Sequence, residues 1–325
     1  MDEIIAEYIN QIELGTIQEY KGMSVFPLYN SGHDFNYITL KEALEANLLT
    51  VTEIDKSGSV PELKVINKAD VPVLLLDGEE LAGAKQNRVL NTTILLEKKS
   101  ETVIPVSCTE QGRWSYESPE FSESGNLAEY RLRRTKSSSV HESLKMRGEF
   151  RSNQSAVWNE IENVSRRANV NSHTRAMGDV YQSKIKDLDK YLKSFPPSDG
   201  QKGLLVMING EVMGLDLLSS DKAYKLLHQK LLKSYALEAL LAEDEVEEKL
   251  NGMDRARTFL DETFLSMDEK HESIGYGFDH RLEGPSLVGS SLTYNDQVIH
   301  TAFFNKDYAK DGEMSNYRKR RSYRL

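Results

Sequence analysis

Short apolar runs alternate with polar breaks over the first third of the chain. Between residues 23 and 108 the runs include VPVLLL and ETVIPVS, and Gly, Pro, Asn, Asp and charged pairs separate them. Runs of this length and spacing are typical of strands in a sandwich or a barrel. The pattern therefore predicts a β-rich region in which residues 89–96 and 102–108 form an antiparallel hairpin.

Beyond residue 150 the apolar positions change to a helical period. Residues 153–169 and 176–195 each place their apolar side chains on one face, which predicts two amphipathic helices. A strand pair follows around Asn209 and Gly210, the residues preferred in a two-residue hairpin turn.

Serine clusters mark the expected starts of two further helices. One is predicted to begin near Ser138 or Ser139, inside a polar connecting segment, and a longer one at Ser219 or Ser220. A serine at such a position can accept a hydrogen bond from the free N–H groups of the first helical turn.

Together these elements predict an α+β fold. It has an N-terminal β-rich sandwich or barrel-like sheet, a helical segment and a C-terminal hairpin-helix-strand portion. We divide the chain into a β-rich domain at 1–114, a connecting segment at 115–150, an α+β portion at 151–312 packed on the first domain, and a basic tail at 313–325.

Composition narrows the class of partner. The chain has 41 basic and 51 acidic residues, so its body should repel nucleic acid, and only the basic tail suits a polyanion. The single cysteine, Cys108, excludes an internal disulfide and fits a reducing compartment. No apolar run approaches the roughly 20 residues that span a bilayer. We therefore predict a cytoplasmic protein without membrane contact.

The densest polar stretch, DGEELAGAKQNR at residues 77–88, directly follows an apolar strand. Loops held at the end of a sheet commonly bind ligands. Lys85 and Arg88 provide cations for a phosphate or a carboxylate, while Glu79 and Glu80 suit ribose hydroxyls or general-base chemistry. The competing interpretation is a network of ion pairs that stabilises the sheet end, and the stretch alone leaves both open.

A second polar cluster, SCTEQGRW at residues 107–114, ends the next strand and should neighbour the first through the predicted hairpin. Arg113 could clamp an anion and Trp114 could stack on a base, although Trp114 packed on an arginine at a domain seam is an equal alternative. Arg281 and His300, near the end of the chain, could add to the same site. None of the seven histidines shows the spacing of a helical metal motif, so we predict no metal site.

Three segments resemble the ARG and rhodanese-phosphatase superfamily associated protein (ARPP) family: a run containing GAKQNRVLNT, then VIPVSCTEQGRW, then RLEGPSLVGSSLTYNDQVIHTAFF. The resemblance implies one family-wide unit, which a boundary at residue 114 would divide. It also implies an association with NAD-derived or ADP-ribose-type molecules, without a reaction. The matched positions are the candidate site residues Glu79, Glu80, Lys85, Gln86, Asn87, Arg88, Asn91, Glu110, Arg113, Trp114, Arg281 and His300.

Two functional hypotheses follow from these observations. The first is a site for a nucleotide-type small molecule, with the basic side chains on phosphate and Trp114 on a ring. If the site is catalytic, hydrolysis with Glu79 or Glu80 as general base is the simplest reaction. The second is a non-enzymatic interaction or self-assembly protein of a stress or phage-defence system, which binds a protein partner or forms a homo-oligomer. The sequence identifies no cofactor and does not decide whether the protein is an enzyme.

Overall fold

The computed structural model describes residues 1–32, 34–55, 61–242 and 252–306. The predicted basic tail at 313–325 lies outside the described residues. Helices make up 33% and strands 35% of the structure, which includes a sheet curled into a half-barrel, so the predicted α+β class is confirmed. No helix in the described ranges is long and apolar enough to cross a membrane.

The described residues contain eighteen strands and seven helices. The strands are β1 Ile12–Leu14, β2 Gln18–Tyr20, β3 Met23–Asn30, β4 Ile38–Thr39, β5 Leu49–Thr52, β6 Glu62–Asn67, β7 Val73–Leu75, β8 Glu79–Gly83, β9 Arg88–Leu90, β10 Ile94–Leu96, β11 Ser100–Cys108, β12 Phe121–Leu127, β13 Gly203–Ile208, β14 Glu211–Leu218, β15 Met267–Glu272, β16 Phe278–Glu283, β17 Leu287–Tyr294 and β18 Gln297–Asn305. The helices are α1 Glu3–Asn10, α2 Leu40–Glu45, α3 Tyr130–Arg147, α4 Gln154–Arg167, α5 Met177–Ser194, α6 Asp221–Leu241 and α7 Gly252–Thr263.

The largest sheet has nine strands and combines both ends of the chain. Its order is β1-β3-β13-β14-β18-β17-β16-β15, and β2 also pairs with β3. Strand β3 pairs with β13, so the regions predicted at 1–114 and 151–312 both contribute to this sheet. The division of the chain at residue 114 stays a prediction.

A six-stranded sheet carries the polar stretch of interest. Its order is β12-β8-β9-β11-β6-β5. A smaller sheet of β10, β7 and β4 is formed by segments that alternate with these strands along the chain. Leu63, Leu81, Ile104 and Val106 belong to one buried apolar cluster beneath these strands. A rigid sheet of this kind fixes the positions of the loops at its ends.

The hairpin predicted between residues 89–96 and 102–108 forms only in part. Strand β9 pairs with β11, and Arg88 lies opposite Cys108, so the two polar clusters share one end of the sheet. Residues 94–96 pair with β7 instead. The prediction was wrong there because the chain bends at residues 91–93, whose polar side chains bond to other elements.

The helix predicted to start near Ser138 or Ser139 begins earlier, at Tyr130. The side chain of Glu129 caps it by accepting hydrogen bonds from N–H groups of the first turn. Ser139 instead donates its hydroxyl hydrogen to the carbonyl of Lys136 within the helix, at 3.0 Å. Because serine can bond to its own helix in this way, a serine cluster does not by itself mark a helix start.

The remaining local predictions are confirmed. Helices α4 and α5 occupy the two ranges predicted from the apolar period. Asn209 and Gly210 have φ values of 49° and 82°, as a tight turn between β13 and β14 requires. Ser220 caps α6 by accepting a hydrogen bond from the Ala223 N–H group at 3.3 Å.

Candidate functional site

The two polar clusters meet at one end of the six-stranded sheet, and Arg113 connects them. Its guanidinium donates hydrogen bonds to Glu110 at 2.8 Å, to the Ala84 carbonyl at 2.8 Å and to the Asn87 side chain at 3.0 Å. Glu110 also accepts from the Asn87 backbone N–H group at 3.4 Å. Arg113 is buried, so these donors hold the two loops together.

Arg88 lies fully buried at the base of the same loops. Its Nη1 donates to the backbone and side-chain oxygens of Gln86 at 3.2 and 3.1 Å. Its Nη2 lies 3.6 Å from a carboxylate oxygen of Glu53, a residue absent from the candidate set. Burial raises the pKa of the Glu53 carboxyl group, although the Arg88 charge opposes that rise. Arg88 therefore supports the conformation of the loop from beneath.

Two exposed aromatic rings cover this cluster. Trp114 and Tyr116 are 50% and 53% exposed, and the Nζ atom of Lys85 lies 5.2 Å from the centroid of each ring. The guanidinium carbon of Arg88 lies 5.9 Å from the centroid of the Trp114 ring. At such distances a cation is attracted to the π face of a ring. We call Lys85, Trp114 and Tyr116, which lie above the buried Arg88, the aromatic–cation surface.

The two candidate catalytic glutamates bond in different directions, because successive residues of a strand face opposite sides of a sheet. Glu79 accepts hydrogen bonds from Lys230 on α6 at 2.6 Å and from the Leu76 N–H group at 2.8 Å. Glu80 accepts from the Thr109 hydroxyl at 2.8 Å, in the second polar cluster. Only Glu80 therefore bonds to the second polar cluster in this arrangement.

Of the two glutamates, Glu80 is the one whose carboxyl group has a raised pKa. Burial raises the pKa of its carboxyl group, while hydrogen bonds from Thr109, Ser124 and Asn126 oppose that rise. A carboxyl group with a raised pKa is suited to general acid–base chemistry. Glu80 is only 1% exposed, so a substrate would reach it only after the loops rearrange.

His300 belongs to a second group of polar residues, which is fully buried. Asp216 is at its centre and accepts hydrogen bonds from Arg133 at 2.9 and 2.5 Å and from the Tyr235 hydroxyl at 2.9 Å. Burial raises the Asp216 pKa, but the Arg133 charge and hydrogen bonds more than offset this and lower it to about 2. We call the four residues Asp216, Arg133, Tyr235 and His300 the Asp216 network.

His300 links the Asp216 network to Thr93. The Thr93 Oγ1 atom lies 2.9 Å from His300 Nδ1, and His300 Nε2 lies 3.3 Å from Asp216 Oδ1. A hydroxyl, a base and an orienting carboxylate in this order activate a nucleophile in many hydrolases. Here Thr93, His300 and Asp216 are 4%, 1% and 0% exposed, so the arrangement is shielded from substrate and serves as internal support.

Lys136 on α3 bonds to the polar stretch from the interior. Its ammonium group donates to the Asn91 carbonyl at 3.1 Å and to the carboxylate of Asp77. Burial lowers the pKa of Lys136, and the Asp77 charge opposes that fall. The Asn91 side chain donates to the Phe150 carbonyl at 3.1 Å and accepts from the Ser107 hydroxyl at 2.7 Å. Asn91 thus connects separate segments within the core.

Arg281 bonds to the residue that precedes Thr93. Its Nη2 donates to the Thr92 hydroxyl at 2.6 Å and to Asp279 at 2.8 Å. Arg281 and His300 therefore lie beside Thr92 and Thr93, which follow strand β9 in the chain. This places them in the internal support of the sheet.

A family model for the ARG and Rhodanese-Phosphatase-superfamily-associated Protein domain, ARPP-1, matches residues 11–304. The chain belongs to the ARPP-1 family. The match includes both polar clusters and the strands that carry Arg281 and His300, so the resemblance seen in the sequence is confirmed. No curated protein and no solved structure matches the chain.

Among the charged residues of the ARPP-1 interior that are absent from the candidate set are Asp216, Arg133 and Lys136. Asp216 is the single carboxylate in the apolar run VMGLDLL, and an acidic residue in such a run signals a buried, paired charge. Arg133 and Lys136 lie three residues apart and share a helix face, but their segment is so polar that its burial is hidden in the sequence. Tyr116 also gives no signal, since only the fold brings its ring to Lys85.

The described part of this ARPP-1 chain shows no group of three or more His, Cys, Asp or Glu side chains arranged to hold a metal ion. The polar and aromatic side chains described above form two regions that differ in exposure. The aromatic–cation surface is open to solvent through its rings, and the Asp216 network is closed.

Proposed function

We propose that this ARPP-1 protein binds a nucleotide-type small molecule at the aromatic–cation surface. The observation that carries the proposal is the pair of half-exposed rings, Trp114 and Tyr116, with the Lys85 ammonium group between them. An exposed ring can stack on a base or cover a ribose, and a nearby cation complements a phosphate. An NAD-derived or ADP-ribose-like molecule combines all three groups.

The proposal divides the candidate residues by their position relative to the two exposed rings. Trp114 and Lys85 contact the ligand, and Tyr116 joins them. The side chains that hold the loops in shape are Gln86, Asn87, Arg88, Glu110 and Arg113. Those that support the sheet from the interior are Asn91, Arg281 and His300.

We further propose that the bound molecule is hydrolysed, and this step rests on Glu80. Its raised pKa and its bond to Thr109 favour Glu80 over Glu79, which the buried Lys230 holds. Turnover of ADP-ribose, followed by chromatography, should be lost in Glu80→Gln. Unchanged turnover in that variant would remove Glu80 from the reaction.

The second candidate function is a non-enzymatic self-assembly or interaction protein of a stress or phage-defence system. Its specific support is an exposed apolar segment, since Leu265 and Met267 are 66% and 68% exposed at the start of an edge strand. Both candidate functions place the protein in the cytoplasm, because its single cysteine suits a reducing compartment.

Titration calorimetry with ADP-ribose, NAD and AMP tests the binding proposal. We expect binding to the wild type, loss of binding in Trp114→Ala, and wild-type affinity in Trp158→Phe. Trp158 is the second of the two tryptophans and lies on α4, so it is the matched control. The absence of binding of all three molecules to the wild type would contradict the proposal.

A further inference from the structure

The nine-stranded sheet ends in a strand whose outer edge has no partner among the described residues. Strand β15 pairs with β16 on one side and is the last strand in the sheet order. An edge strand presents free N–H and C=O groups that can pair with another strand. Met267 in β15 and Phe278 beside it are 68% and 43% exposed, so apolar surface accompanies this edge.

We propose that β15 pairs antiparallel with β15 of a second copy of this chain, around a two-fold axis at His271. In such a pair the axis is perpendicular to the sheet, so directly opposed side chains must lie on the same face. Side chains alternate between faces, so opposed residues are separated by an even number of positions. The axis must therefore pass midway between one residue of the strand and the same residue of the other copy, and we name the axis by that residue.

Charge decides which residue that is. The strand reads MDEKHE, and an axis at any of its four charged residues, Asp268, Glu269, Lys270 or Glu272, would set that residue against its own copy. Like charges directly opposed in an antiparallel pair are destabilising. The axis can then lie only at Met267 or at His271.

Opposite charges favour His271 over Met267. With the axis at His271, Lys270 of each copy faces Glu272 of the other, and Glu269 faces Ser273. Lys270 and Glu272 are both exposed, and Lys270, which lies 3.3 Å from Asp2 of its own chain, can turn toward Glu272 of the other copy to form these two ion pairs. With the axis at Met267, Asp268 faces Ser266 and no ion pair forms. The charge pattern of β15 is therefore complementary to itself in one register.

The predicted contact is small, and its strength should reflect that. A strand pair of this length, with a few apolar side chains, buries less than the roughly 1,200–2,000 Å² of a stable interface. We expect a weak dimer that forms at high protein concentration and weakens as salt screens the ion pairs. The inference is independent of ligand binding, because β15 lies in the nine-stranded sheet and the loops of the aromatic–cation surface follow strands β8 and β11 of the six-stranded sheet.

Sedimentation of the full chain over a range of concentrations, with charge reversals, tests the register. Lys270→Glu sets two carboxylates against each other across the interface, and Glu272→Lys sets two ammonium groups against each other, so each variant alone should be monomeric. Mixed together, the two variants should form a heterodimer, because every opposed pair then has opposite charges. Lys41→Glu, an equal charge change at an exposed position of α2, is the control and should dimerise like the wild type.

Three results would overturn the proposal. One is a wild type that stays monomeric at the highest concentration. Another is a pair of single variants that stays monomeric on mixing while circular dichroism shows both to be folded. A wild-type dimer that neither reversal weakens would place the interface elsewhere and would also reject the β15 contact.

Discussion

The aromatic–cation surface and the Asp216 network both combine cationic with aromatic side chains, but they expose the rings differently. At the surface, the Lys85 ammonium group lies 5.2 Å from the centroid of each of two half-exposed rings. In the network, Arg133 and Asp216 form a bidentate pair with no exposed surface. A dense polar motif in a sequence therefore does not separate a ligand site from an internal support, whereas the exposure of its side chains does.

The difference has an energetic consequence. Removing one partner of a buried ion pair leaves a charge without compensation in the interior and costs about 3–5 kcal/mol. Substitutions at exposed positions change the free energy of unfolding by about 0.5 kcal/mol or less. The comparison can therefore be tested by measuring stability and ligand binding separately.

The largest effect is expected for Asp216→Asn. The neutral amide leaves the buried Arg133 guanidinium without its carboxylate, so the free energy of unfolding should fall by about 3–5 kcal/mol. Urea unfolding followed by circular dichroism measures this change. A loss below about 1 kcal/mol would mean that the network does not support the fold as described.

The next effect separates the two adjacent glutamates. Glu79→Gln removes a carboxylate bonded to the buried Lys230, and we expect a loss of about 2–3 kcal/mol. Glu80→Gln should be neutral or stabilising at pH 7, because burial raises the Glu80 pKa and ionisation of that carboxyl therefore destabilises the fold as pH rises. Equal losses in the two variants, measured by the same urea unfolding, would contradict their assignment to different environments.

A smaller effect is expected in acid. The Asp216 pKa is lowered from 3.8 to about 2, so its contribution to stability is present above pH 3.8 and is lost as pH falls through about 2. Between pH 4 and pH 2 the wild type should therefore lose about 2 kcal/mol more than Asp216→Asn does. Parallel stability curves for the two proteins would show that Asp216 is not held by Arg133.

The smallest stability effect is expected for Trp114→Ala. The ring is half exposed, and we expect the free energy of unfolding to change by less than about 1 kcal/mol. A loss as large as that of Asp216→Asn would mean that Trp114 is part of the fold rather than a ligand surface.

Patterns of neighbouring residues were enough to predict the helices and the turn that depend on short stretches of sequence. The apolar period indicated α4 and α5, and the Asn209-Gly210 pair indicated its turn. The start of α3 was missed because Glu129, rather than a serine, caps it. The route of residues 94–96 was missed because long-range side-chain bonds bend the chain before them.

The candidate site was predicted less completely than the fold. The meeting of the two polar clusters followed from the pairing of β9 with β11. The contacts of Lys136 with Asp77 and of Arg133 with Asp216 join residues far apart in the chain, and no spacing rule links such residues. Exposure, which separates Trp114 from Arg88, is also a property of the folded chain alone.

The most direct test of the ligand surface is the fluorescence of Trp158→Phe, in which Trp114 is the only tryptophan, during titration with ADP-ribose. Stacking of the ligand on the exposed ring should change the emission of Trp114 in a saturable way, with the dissociation constant that calorimetry gives. Emission that stays constant while calorimetry reports binding to the same protein would contradict the account, because the ligand would then bind away from the aromatic–cation surface.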